Sequence, residues 1–163
     1  MVFPAEGVEP RFILDCMLGK LAKWLRILGY DTLYFSKISD VDLLRMAEKE
    51  GRVLLTRDTR IGERRNSATI VLVHSGEPEE QLKEIVSRFK LNLSPERVFS
   101  RCLVCNTPIT LVEKKEVAGR VPPYVYRTQQ RFAYCPTCDR IYWRGTHIKR
   151  VFERLRLLMG KEV

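Results

Sequence analysis

At 163 residues, with 45% hydrophobic and 30% charged positions, the chain has the size and composition of one soluble globular domain, or of a compact domain carrying a small module. No apolar run is long enough to span a bilayer, and Met1 to Glu6 has neither the basic nor the apolar region of a secretion signal, so we expect a cytoplasmic protein with no membrane partner. The net charge of +9 is uneven: residues 1–98 hold 16 Lys and Arg against 15 Asp and Glu, whereas residues 99–163 hold 13 against 5, an asymmetry that points to a polyanion.

Residues 1–10 read as a loose lead-in. Phe12-Ile13-Leu14 is a short buried strand ending in Asp15. From Met17 the period becomes helical, with Leu18, Leu21, Leu25 and Leu28 on one face and Gly29 as the stop. Thr32 to Phe35 is a second strand. Ser39, three residues before Asp42, suits the start of a helix that turns Leu43, Leu44 and Ala47 inward and stops at Gly51. The stretch Arg52-Val53-Leu54-Leu55-Thr56-Arg57-Asp58 is a third strand with an acid at its end, followed by a basic turn from Arg60 to Arg65. Thr69 to Val73 is a fourth strand. Pro78 then opens a helix with Leu82, Ile85, Val86 and Phe89 as its apolar stripe. Strand and helix alternate four times in about ninety residues, and continuous apolar strands suit a parallel sheet covered on both faces. The expectation is an α/β sandwich, then a linker from Asn92 to Ser100, then a module of different composition. Thr146 to Gly160 is a last helix whose stripe (Ile148, Val151, Phe152, Leu155, Leu158) must pack on the sandwich or on the module.

Asp15 ends strand one, Asp58 ends strand three, and Asp40 opens the helix after strand two. In parallel β-α units those positions share the face at the carboxyl ends of the strands, where ligands bind. Acids gathered there repel unless a cation relieves them. All-oxygen ligation favours Mg²⁺ or Mn²⁺, which accept substrate phosphate and activate water for phosphodiester hydrolysis. The plainer reading makes Asp40 and Asp42 helix N-terminal residues and pairs Asp15 with Lys20 in a salt bridge; for Asp42 the capping role is preferred.

Cys102-x-x-Cys105 and Cys135-x-x-Cys138 supply four thiolates, enough for a closed, structural Zn²⁺ site. The 29 intervening residues exceed a usual ribbon interval, so a hairpin or loop, with a turn at Gly119 to Pro123, is expected to absorb them. Two disulfides or an iron–sulfur cluster are the rivals. Around the cysteines, Arg120, Arg127, Arg131, Arg140 and Arg144 alternate with Tyr124, Tyr126, Phe132, Tyr134, Tyr142 and Trp143. Arginines beside rings are the makings of a single-strand nucleic-acid surface, although a small zinc domain also needs rings for its core. His147 is expected simply to begin the last helix, and Cys16 to be a small buried apolar residue.

Asp15 with the helix Met17-Leu18-Gly19-Lys20-Leu21-Ala22-Lys23-Trp24-Leu25-Arg26, Asp40, Leu54-Leu55-Thr56-Arg57-Asp58 and Tyr142 to His147 together resemble the PIN-like nucleases. More narrowly, they resemble the family named after the C-terminal RNase domain of the Mut-seven exonuclease, over about residues 11–150. The resemblance implies a PIN-like domain over residues 1–95 and a zinc ribbon with a terminal helix over residues 96–163. It implies RNA cleavage at a divalent-metal site of Asp15, Asp40 and Asp58. Lys20 and Arg57 would steady the phosphate, and Arg131, Arg140 and Arg144 would grip RNA. Many PIN-like proteins carry a further acid shortly after the Thr-x-Asp, where this chain has Arg60; Glu63 is the candidate substitute. The rival expectation is a non-catalytic RNA- or ribosome-binding adaptor. A toxin with an antitoxin partner fits poorly beside so large a zinc module, and no obligatory protein partner is evident.

Overall fold

In the computed structural model, residues 8–63 and 67–160 are described. Four short strands, β1 (Phe12–Leu14), β2 (Thr32–Tyr34), β3 (Val53–Thr56) and β4 (Thr69–Leu72), form one parallel sheet in the order β2-β1-β3-β4. Successive side chains of a strand leave on opposite faces, and two cores result. Phe12, Leu14, Val53, Leu55 and Val71 meet helices α1 (Gly19–Ile27) and α4 (Pro78–Phe89). Ile13, Leu54 and half-buried Ile70 meet α2 (Asp40–Glu50) and Ile61 of α3 (Thr59–Gly62). The result is the expected sandwich, with helices covering both faces of a parallel sheet.

Several boundaries differ from the sequence expectation. The first helix opens as a 3-10 turn, Cys16–Leu18, because the Asp15 carboxylate accepts from the Met17 N–H and holds that turn. The basic turn after Asp58 is a short helix, α3, with Asp58 as its N-cap; Arg64 and Arg65 lie outside the described residues. Gly51 stops α2 with a φ of 59°. Gly29, at φ 85°, has no room for a Cβ, because the Arg97 carbonyl and the Ser100 hydroxyl would lie 2.5 and 2.7 Å from it. The stretch read as a linker is therefore packed down: Phe99 N–H donates to Ile27 O at 2.7 Å, and Leu91 and Val98 are buried in the main core.

Beyond it, β5 (Thr110–Val112), β6 (Phe132–Cys135) and β7 (Arg140–Trp143) form an antiparallel sheet around Val117, Val121 and Phe132. The turn expected at Gly119 to Pro123 leads into a six-residue helix, α5 (Pro123–Thr128). The last helix, α6 (Thr146–Met159), packs on the sandwich: Leu155 is fully buried in the main core, with Val151, Phe152 and Leu158 against it, and Arg154 pairs with Glu79 of α4. No helix among the described residues is long and apolar enough to cross a membrane.

Candidate active site and metal centre

The strand order reverses between β1 and β3, since β1 connects outward to β2 and β3 connects the other way to β4. In open α/β sheets that switch point leaves a crevice beyond the carboxyl ends of the two strands. Asp15 follows β1 and Asp58 follows β3. Thr56 joins them: its hydroxyl donates to Asp15 Oδ2 and accepts from the Asp58 N–H at 3.0 Å. Arg57 N–H also donates to Asp15 Oδ2, at 3.1 Å. Asp15 is 6% exposed, and these donors, with Met17 N–H, stabilise a carboxylate that burial would otherwise penalise. Lys20 is not its partner; it lies exposed on α1 and lines a cleft. Thr56 had no role in the sequence reading. The Thr-x-Asp spacing was its signal, since a Thr hydroxyl readily binds the backbone two residues on.

Asp58 accepts from Arg60 three times, at Oδ1 from the backbone N–H (2.9 Å) and Nε (3.0 Å), and at Oδ2 from Nη2 (2.7 Å). Bonding to Asp58, and the charges of Asp58 and then Asp40, raise the pKa of the exposed Arg60 guanidinium. Arg60 thus stands in the field of both acids. Asp40 is the first residue of α2, and Asp42 takes the capping role, accepting from the Ser39 hydroxyl at 2.7 Å. Glu63 is exposed at the C-cap of α3. Among the described residues, Asp15, Asp40 and Asp58 do not gather as closely as the cysteines do. The donor chemistry nevertheless suits Mg²⁺ or Mn²⁺: Asp15 and Asp58 present carboxylate oxygens, and each such oxygen has two lone pairs to offer.

Two clefts open beside this face. A smaller one, about 630 Å³, lies among Met17, Lys20, Tyr34, Arg57 and Gly76. A larger one, about 830 Å³, continues along α1 to α6. Lys20, Glu77 and Pro78 line both. Exposed Arg57 and Lys20 both line the smaller cleft, and the Arg57 backbone N–H bonds Asp15.

The four cysteines of the module come together, with all four sulfurs within 4.8 Å of one another and Cys105 Sγ 3.4 Å from Cys135 Sγ. Tetrahedral Zn–S bonds of ~2.3 Å would set sulfurs roughly 3.8 Å apart. No cysteine is in a disulfide. Crowding divides the thiols: burial pushes Cys105 up, but hydrogen bonds from Thr107 and from Cys138 and Cys135 draw it down to about 6, while its bond to Cys105, burial and the Cys102 charge push Cys138 up to about 12. Four thiolates this close repel one another unless a cation is bound, and the donor set is one that could hold a metal such as zinc. Cys16, expected to be buried, is exposed, because it sits on the outer side of the 3-10 turn.

The first knuckle is fastened to the sandwich. Arg26 of α1 donates through Nη1 to Leu103 O (3.1 Å) and Val104 O (2.9 Å), and through Nε to Thr32 O (2.9 Å). Buried Asn106 accepts from Thr32 N–H at 2.9 Å and donates to Asp31 at 2.7 Å; Asp31 is held in turn by Arg52. Asn106 has a φ of 71°, a conformation Asn tolerates better than most residues.

Of the module's rings, Phe132 is core, Trp143 and Tyr126 pack against it, and the Tyr142 hydroxyl lies 3.0 Å from Cys102 Sγ. Arg120 covers Tyr134 and pairs with Asp139, leaving Tyr124 as the exposed ring. Structural work therefore absorbs most of the aromatics. Arg131, Arg140 and Arg144 are all exposed. The side chain of His147 lies outside the described residues.

The chain is thus a parallel α/β sandwich with acids at its switch point, a basic cleft beside them and a four-cysteine cluster that could bind a metal. The family model of the Mut7-C RNAse domain matches residues 10–155, and the chain belongs to that family. Membership brings an RNA-related, ribonuclease-type hydrolase function. No curated protein and no solved structure matches the chain.

Proposed function

We propose that the protein is a divalent-metal-dependent ribonuclease of PIN-like architecture. The observation that carries this reading is the Asp15–Thr56–Asp58 linkage across the β1/β3 switch point. Asp15, Asp58 and Asp40 would hold Mg²⁺ or Mn²⁺, which when bound lowers the pKa of a water and offsets charge on the phosphorus oxygens. Thr56 and the Arg57 N–H fix the Asp15 carboxylate in place. Lys20 and Arg57 orient the scissile phosphate, while Arg131, Arg140 and Arg144 offer the ribbon's cations to the RNA backbone. The cysteine tetrad holds zinc as a structural ion. Its four reduced thiols suit a cytoplasmic protein.

The test is manganese-dependent cleavage of single-stranded and structured RNA by the wild type and by Asp58→Asn. We expect cleavage to fall by orders of magnitude in the variant; equal activity would sink the assignment. A second reading, an RNA- or ribosome-binding adaptor, draws on the Arg60 clamp over Asp58. Binding without cleavage across metals and substrates would decide for it.

A further inference from the structure

The two clefts are one groove. Along α1, Lys20, Lys23, Trp24 and Ile27 recur at intervals of three and four residues, so they line one side of the helix and form one wall of the larger cleft. Ile148, Val151 and Arg154 do the same on α6. The half-buried Trp24, with Ile27, Phe99 and Val151, makes the apolar part of this lining. The charges are not balanced. Glu79 is paired with Arg154 and Glu80 with Lys83. Lys20, Lys23 and Arg150 are exposed and make no ion pair among the described residues. Glu77 is the remaining acid, placed at the N-terminal end of α4 where the two clefts meet. At the other end the groove reaches Arg57, whose backbone N–H bonds Asp15 at the switch point.

Resting on the ribonuclease reading, the geometry points to the α1–α6 groove as the track for single-stranded RNA. A base stacks on Trp24, and phosphates run along Arg150, Lys23 and Lys20 towards Asp15 and Asp58. Only an unpaired base can present its face to a ring in a cleft, since a duplex keeps its bases stacked inside. The main grip then lies on the sandwich side rather than on the arginines of the ribbon, where the sequence reading placed it.

The experiment is binding of a fluorescently labelled ten-nucleotide oligouridylate to the zinc-loaded chain without added Mg²⁺ or Mn²⁺. Anisotropy is followed across a salt series, together with tryptophan emission. Lys23 and Arg150 are exposed, so Lys23→Ala/Arg150→Ala keeps the fold. It should weaken binding about tenfold and flatten the log Kd against log salt slope by about 1.4, the loss of two phosphate contacts on a single strand. RNA should quench emission in the wild type, and Trp24→Phe, which leaves Trp143 as reporter, should abolish that quench. An unchanged Kd and slope in the double variant, a quench that survives Trp24→Phe, or a larger loss from Arg140→Ala/Arg144→Ala would overturn the groove. Groove-dependent binding by a chain that never cleaves supports the track and refutes the catalytic reading alone.

Discussion

Arg60 holds both carboxylate oxygens of Asp58, two residues before it on the same turn. The contact is exposed at its arginine end, with 83% of that side chain accessible. Exposed ion pairs are weak and salt-screened, so a divalent ion would displace this one, in competition with Arg60. Arg60→Ala keeps the backbone N–H that Asp58 caps. It should lower the Mn²⁺ concentration for half-maximal cleavage several-fold. A metal titration of wild type and variant checks this, and a higher requirement in the variant would assign Arg60 to substrate instead.

Arg26 satisfies three carbonyls from a buried position. Arg26→Met would leave those acceptors without partners in a dry site, at a cost of about 2–4 kcal/mol. Arg26→Lys should restore little, because an ammonium cannot reproduce the fork that spans Thr32 and the knuckle. Urea unfolding would show the midpoint falling in both. A lysine variant of wild-type stability would contradict the geometry.

Asp31 carries a pH dependence. Burial raises its pKa, but hydrogen bonds from Arg52 and Asn106 outweigh that and hold it below the ordinary carboxylate value. Its stabilising contribution is therefore complete above an unfolded pKa of about 3.9 and is lost as pH falls through the lower folded value. Asp31→Asn should be less stable than wild type at pH 7 and converge with it in strong acid. Thermal melts from pH 7 to 2 give the comparison; parallel curves throughout would exclude the role.

Metal analysis should return about one zinc per chain. A strong chelator, or Cys135→Ser, should remove the near-ultraviolet signal of Tyr142 and Trp143 and lower the melting temperature of the whole chain, because the first knuckle is bonded to α1 and β2. A module that melts alone, leaving the sandwich untouched, is the contrary result.

Period and punctuation carried most of the sandwich in the sequence. The strands are apolar runs, α1 and α2 are marked by stripes and by Gly29 and Gly51, and the tetrad is marked by its spacing. What escaped is what depends on long-range contact. The Arg26 bonds cross 77 and 78 positions, and the Asn106 bond to Asp31 crosses 75; no local pattern marks them. Helix α5 is too short to show a period. Lys20 looked like a partner for Asp15 by spacing, but the strand geometry brings Thr56 and the Arg57 N–H closer. The rings of the ribbon could not be divided between core and surface without knowing that β6 and β7 turn Phe132 and Trp143 inward.

Helix α1 begins just after the turn that Asp15 caps and ends with Arg26 beneath the first cysteine knuckle. Nine residues of helix make a strut of about 13 Å. It carries Lys20, Lys23 and Trp24 along its side, so the knuckle and the acidic crevice are opposite ends of one lever. Whatever holds the four cysteines together thereby also steadies one wall of the cleft, since the Leu103 and Val104 carbonyls that receive Arg26 lie inside the first knuckle.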